Sequence, residues 1–238
     1  MPEQGAAVRR APLNRERVLR TAVALADATG IDALSMRRLA QELGVVPMAL
    51  YKHVANKDEL LDGMVDAVVG EIDPPVAGAG WRDAVRRRVL SAREALLRHP
   101  WAPRVIESRP GPTPAVLGYL DSMVALFRAG GLSADLTHHV MHAMGSRLLG
   151  FSQELFDASP GPGADPAPDP AALRALADAY PHLAEIAGAA AHDDGSVVGA
   201  GCDDRFEFEF ALDLLLDGFE QLHHRGWTSA DRPAGRAT

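Results

Sequence analysis

The chain has 238 residues, 47% of them hydrophobic and 24% charged, with a formal net charge of −8, a balance that fits a folded globular protein and excludes a disordered or fibrous one. One cysteine, Cys202, excludes an intrachain disulfide framework and a cysteine-rich zinc site. There is no uncharged apolar run of about 18 residues and no apolar signal-peptide core at the N-terminus, so a cytoplasmic protein without a membrane span is expected.

Residues 1–13 read as a loose arm carrying Arg9 and Arg10. A helix is expected from Asn14, a residue able to cap its first turn, to Gly30, with Val18, Ala22, Leu25 and Ala26 on one face. Ser35 starts a second helix that buries Leu39, Ala40 and Leu43 and stops at Gly44. After Val45 and Val46, Pro47 suits the first turn of a third, short helix, PMALYKHV. Asn56 caps a fourth helix, with Asp58 and Glu59 in its first turn, running to about Ile72. Asp73–Gly80 is a hinge by composition. Helices follow from Trp81 to the region of His99, in the short piece WAPRVIES, from about Ala115 to Gly130, and from a Ser133 cap over about 134–156. Residues 157–170 are too rich in proline and glycine to hold a helix and read as a mobile loop. A shorter helix, interrupted at Pro181, precedes a loop and a last strong helix from about Asp203 to Arg225. The Phe–Glu alternation at 206–210 is strand-like but runs on into helical periodicity, so it is assigned to that helix. The chain is therefore expected to be all-α.

Charge is unevenly placed. Residues 1–60 carry nine Lys/Arg against seven Asp/Glu, and the remainder fifteen against twenty-five. A DNA-contacting surface thus belongs in the first quarter. Two short helices joined by Gly44-Val45-Val46, with a supporting helix before them and Lys57 opening the next, have the layout of a helix-turn-helix. The chain lacks a nucleophile elbow, an HExxH motif and a glycine-rich phosphate loop after a strand, so no enzymatic activity is expected. The rival to a DNA reader is a helical interaction or ligand-sensing protein without DNA binding. The cations Arg37, Lys52 and Lys57 speak against it.

Residues 14–61 resemble the N-terminal domain of the tetracycline repressor (TetR) family of bacterial transcriptional regulators, in ALADATGIDALSMRRLAQELGV and PMALYKHVANKDELL. FEFALDLLLDGFE is similar to the C-terminal domain of the tetracycline-repressor subclass. The resemblance implies a helix-turn-helix DNA-binding domain over 14–72 and a larger helical ligand-binding and dimerisation domain over 73–238. It implies a homodimer that binds a palindromic operator on double-stranded DNA, most often as a repressor, and is released by a small-molecule effector. Ser35, Arg37 and Arg38 then open the second helix toward DNA. Pro47, Met48 and Ala49 front the recognition helix, where the last two offer apolar contact to base edges. Tyr51, His53 and Lys57 match backbone-gripping positions, where contacts position rather than specify, and Arg38 or Lys52 supplies the few polar readers.

In the second domain His138 and His142 share a helix face at i and i+4, which is also a metal spacing. A third ligand would have to come from His99, Asp135 or Glu154, without further support, so neither metal nor cofactor is assigned and hydrogen-bonding or cavity-lining histidines are expected. The tetracycline repressor coordinates a drug-bound magnesium through a histidine and a supporting glutamate. Glu154 falls near that glutamate's position, but Arg104–Arg109 holds no histidine. The implied ligand is therefore a different one, flat and largely apolar with a few polar groups. The expected lining is Trp101, Val105, Tyr119, Met123, Phe127, His138, Met141, His142, Leu148, Phe151 and Glu154. The last helix, apolar nearly all round, belongs in a core or at an interface, and the resemblance implies that it forms the dimer seam with the helix before it or with the helix over 133–156.

Overall fold

Short-range capping decides where the first helices begin and end. In the computed structural model, which describes residues 12–76, 78–150, 170–182, 184–185 and 204–231, α1 spans Arg15–Thr29. The Asn14 side chain accepts the Arg17 N–H at 2.8 Å, and Gly30 ends the helix at φ +79°, a region costly for a residue with a Cβ. After a 3-10 turn at Ile31–Ala33, α2 covers Met36–Leu43. The Ser35 hydroxyl accepts the Arg38 N–H at 3.2 Å. Gly44 takes the left-handed conformation at φ +68° and returns its N–H to the last turn, so α2 stops where the next helix must change direction.

α3 is Pro47–Leu50, shorter than the eight residues expected. The reason is local: the N–H groups of His53 and Val54 both turn back onto the Leu50 carbonyl, and Asn56 must be extended (φ −159°, ψ −178°) to cap α4. In α4, Lys57–Val69, the Asn56 side chain accepts the Glu59 N–H, while the Glu59 carboxylate accepts the Ala55 N–H. That reciprocal clasp resembles a capping box displaced by one residue. α5 runs over Trp81–Arg98, α6 over Ala102–Ser108 and α7 over Pro114–Ala129.

The described residues fall into two compact units, Met1–Gly131 and Leu132–Thr238. The core of the first is built from Val18, Ala22, Leu34, Leu39, Ala40, Leu50, Val54, Leu60 and Met64, and Trp101, Ala102 and Val105 of α6 belong to the same cluster. Each fully buried Leu or Val here contributes about 1.5–3 kcal/mol. α5 and α7 also pack together, with the Trp81 and Phe127 rings 5.8 Å apart. Gly130 lets Trp81 approach so closely that a Cβ there would stand 2.4 Å from the ring.

In the second unit α8 covers Ala134–Gly150, α9 Pro170–Ala179 and α10 Asp204–His224. Ser133 caps α8 by accepting the Leu136 N–H at 3.0 Å. Residues 206–210, where the alternation looked strand-like, are helical in α10. α8 and α10 pack on each other, burying Leu136, Val140 and Met144 on one and Phe208, Leu212, Leu216 and Phe219 on the other. Asp135 fixes the chain beyond α10 by accepting the Ser229 N–H at 2.6 Å and its hydroxyl at 2.8 Å. Those two bonds hold the Asp135 carboxyl below its ordinary range. The described helices are all α or 3-10, and none is long and apolar enough to cross a membrane.

Candidate nucleic-acid interface

The helix-turn-helix faces water with the residues that the sequence singled out. Leu39, Ala40, Leu43 and Leu50 point inward, which leaves the opposite faces of α2 and α3 outward. Ser35, Arg37, Arg38, Pro47, Tyr51, Lys52 and Lys57 are exposed, and Ala49 and His53 are half-buried. Met48 is 72% exposed, and Val46, which the sequence reading passed over, is 67% exposed beside it. Two large apolar side chains left in water at the front of α3 are the signal that would have found Val46. Ser35 uses a lone pair for its cap and keeps its proton to donate elsewhere. Arg9 and Arg10 lie outside the described residues.

The head is tied to the helices behind it by charge. Asp58, Asp62 and Asp66 repeat every four residues along α4 and so share a face. Arg109, whose side chain is 8% exposed, gives Nε to Asp62 at 2.7 Å and Nη1 to Asp58 at 3.1 Å. Asp66 accepts the Ala115 N–H from the first turn of α7 at 3.1 Å, where an acid also meets the positive end of the helix dipole. Arg104 pairs with Asp32 at 3.0 Å. The whole acidic stripe of α4 is thus held by the α6–α7 corner.

Two further joints were not legible in the sequence. Arg88, buried in α5, donates Nε to the Ser122 hydroxyl of α7 at 3.0 Å and Nη1 to the Asp73 carbonyl just beyond α4. Its guanidinium lies 4.9 Å from the centroid of the Tyr119 ring, close enough for a cation–π contact. Burial pulls the Arg88 pKa down, while Tyr119 pushes the other way. Ser91 accepts the Asp73 N–H at 2.9 Å, so both backbone groups of Asp73 are held by α5. The second joint is a cluster of Asp27, Glu71, Arg98, His99 and Trp101.

The expected effector residues divide between the two units. Trp101 and Val105 are buried in the core shared with α1–α4, and the Trp101 indole donates to Asp27 at 2.6 Å. Met123 and Phe127 are buried on α7. Among the described residues nothing bonds the buried Tyr119 hydroxyl, and burial pushes its pKa up to about 12. In the second unit His138 and His142 are exposed and their rings pack at 4.7 Å, while Met141 is half-buried. Leu148 lies on α8, its side chain outside the described residues. Phe151, Glu154 and the loop at 157–170 lie outside them as well. Among the described residues no three His, Cys, Asp or Glu side chains gather to hold a metal ion.

Comparison with known proteins gives this geometry a family. Residues 18–64 match the family described as bacterial regulatory proteins, tetR family, and residues 74–223 match the tetracyclin repressor-like C-terminal domain. The transcriptional repressor DrrR1 of Streptomyces coeruleorubidus is 39% identical over 123 residues, 51% of this chain and 46% of DrrR1, so the chain spans about half the length of that relative. The repressor Rv1353c of Mycobacterium tuberculosis is 28% identical over 243 residues, 95% of this chain and 88% of its own. The crystal structure of apo ActR from Streptomyces coelicolor is similar at a TM-score of 0.70 and 28% identity, covering 91% of this chain and 99% of ActR. ActR in complex with actinorhodin is similar at a TM-score of 0.65 and 30% identity, covering 89% and 98%. The two family matches together span both the helix-turn-helix and most of the helices after it, and this chain belongs to the TetR family of DNA-binding transcriptional regulators, which are not enzymes.

Proposed function

We propose that this chain is a ligand-responsive repressor that binds a palindromic operator as a homodimer and leaves it when a small molecule binds. The observation that carries the reading is the outward set on α2 and α3, with Lys57, on a head whose α4 is gripped by the α6–α7 corner through Arg109. Ser35, Arg37, Tyr51, His53 and Lys57 serve the phosphates, Arg38 and Lys52 are the candidates for polar base contacts, and Pro47, Met48 and Ala49, with Val46 beside them, meet base edges. One short helix reads too few base pairs, so two heads act together on half-sites about 34–36 Å apart or a multiple of it.

Residues 14–72 form the DNA-binding part in this reading and 73–238 the part that senses and dimerises. Phe206, Phe210 and Leu214 recur at i, i+4 and i+8 on the outward side of α10, each more than half exposed. That stripe supports a seam between two copies. The effector is a flat, largely apolar molecule, a reading supported by the structural likeness to ActR, which was solved with actinorhodin. An effector that moves α6 or α7 acts on α4 through Arg109 and Asp66, and so changes the spacing of the two heads. The protein is placed in the cytoplasm, where its operator is.

Selection of bound duplexes from a random pool at physiological salt tests this. The expected result is one enriched palindrome. Ligand-stripped protein that enriches no sequence would overturn the reading in favour of a helical interaction protein.

A further inference from the structure

His99 closes α5 and is 8% exposed at its side chain. Its Nδ1 stands 2.8 Å from Asp27 Oδ1, on α1, and its Nε2 stands 3.2 Å from Glu71 Oε1, in the turn after α4. Each carboxylate is engaged a second time. Asp27 Oδ1 also accepts the Trp101 indole N–H, and Glu71 Oε2 accepts both Nε and Nη2 of Arg98. For Glu71, burial pushes the pKa up, but the hydrogen bonds from Arg98 and His99 outweigh it and keep the carboxyl below its ordinary range.

An ionised carboxylate can only accept a hydrogen bond. A ring with a carboxylate oxygen at each nitrogen therefore satisfies both only when both nitrogens carry protons. Charge agrees with this count. The groups that face the ring are Asp27 from α1, Glu71 from the turn after α4 and Arg98 from α5, with the uncharged Trp101 indole from the start of α6. Two negative and two positive charges balance when the ring is an imidazolium, and a neutral ring leaves one lone pair directed at a carboxylate. The ring is 8% exposed while the side chains of Asp27 and Glu71 are 31% and 40% exposed, so the mismatch falls on the buried ring nitrogen.

We infer that His99, as the doubly protonated imidazolium, is a positioning residue for DNA binding that bolts α1 to the turn after α4 and so sets how the helix-turn-helix is carried. α1 and α4 pack on each other, and α1 also packs on α2. Loss of one proton gives up one of the two charge-assisted bonds and leaves that carboxylate to its second partner alone, the Trp101 indole for Asp27 or Arg98 for Glu71. Asp27 and Glu71 lie 72 and 28 residues from His99 along the chain, so the bolt joins segments that nothing local holds together.

The positioning role rests on the DNA-binding reading; the protonated bridge itself does not. The test has two arms on the full chain. In the first, ring nitrogens are labelled and followed by NMR as pH rises from 6, with His99 assigned by its loss in His99→Phe. While the cluster is intact both ring nitrogens are expected to carry protons, and the Trp101 indole signal is expected to move when the ring loses one. A neutral ring in the intact cluster, or a Trp101 signal that ignores loss of the proton, overturns the inference. In the second arm, affinity for the selected palindrome is measured across the same range. It is expected to fall about tenfold through the ring's titration, the equivalent of one charge-assisted hydrogen bond. Glu71→Gln should flatten that step, because its amide can donate to a neutral Nε2. A step of equal size in Glu71→Gln overturns the positioning role. A chain that binds no duplex overturns the DNA reading and the positioning role with it, and the first arm then decides only whether His99 bridges Asp27 and Glu71 as an imidazolium.

Discussion

Replacing Arg109 with Ala removes the clamp on α4, and the structure sets the size of the effect. The guanidinium bonds Asp62 at 2.7 Å and Asp58 at 3.1 Å. Its own side chain is 8% exposed, but those of Asp62 and Asp58 are 44% and 76% exposed. The orphaned carboxylates can therefore return to water, and the 3–5 kcal/mol cost of stranding a buried charge does not apply. What is lost is one good charge-assisted hydrogen bond, one strongly screened pair and the packing of the buried stem, together about 1–3 kcal/mol. For a chain of this size a loss of about 2 kcal/mol lowers the Tm by roughly 4–8 °C. Thermal melts of Arg109→Ala, Asp62→Asn, Asp58→Asn and the two double variants would measure the pair terms. Coupling should be about 1–2 kcal/mol to Asp62 and below about 0.5 kcal/mol to Asp58, since exposed pairs contribute little. Equal coupling to both, or none to Asp62, would refute the reasoning. Operator binding by Arg109→Ala should weaken as well, because α4 no longer sits in one place.

Other expected outcomes are direct. Lys57→Ala should weaken binding to all duplexes about equally and lower the salt slope by about one per subunit, read by fluorescence anisotropy across a salt series. Met48→Ala should change stability by no more than about 0.5 kcal/mol, as an exposed site does, or about 1–2 °C in Tm for a chain of this size, and should change the preferred sequence in a repeat of the duplex selection. Gly130→Ala should cost about 1–3 kcal/mol by overpacking, because its Cβ would meet the rigid Trp81 ring at 2.4 Å; calorimetry checks this. Glu71 has a folded pKa below its unfolded value, so its stabilisation is fully present above about pH 4.5 and is lost as pH falls through the folded value. Acid unfolding of Glu71→Gln should lack that part of the low-pH slope.

What was legible in the sequence is what acts over a few residues. Asn14, Ser35 and Asn56 reach their N–H partners three residues on, and Gly30 and Gly44 mark positive φ, so the starts and stops of α1, α2 and α4 follow from neighbouring side chains. The extent of α3 was not legible, because its end is set by the demand of the next cap for an extended Asn56. The candidate DNA-facing set was read from the likeness of residues 14–61 to the TetR-family head, and Val46 escaped because it sits in the turn. The joints behind the head were invisible. Asp27 and Trp101 are 74 residues apart and Arg109 and Asp62 are 47, and a single chain carries no mark that such residues meet. Trp101 was thus expected in a pocket and His99 weighed as a metal ligand, whereas the one donates to Asp27 and the other bridges two carboxylates.

The measurement that tests the two-fold DNA reader most directly is a titration of the selected palindrome, and of one of its half-sites, with salt raised from about 50 to 200 mM. The account predicts two chains on each palindrome, much weaker binding to the half-site, and affinity that falls steeply with salt. One chain per duplex with equal affinity for the half-site, or affinity indifferent to salt, would contradict it.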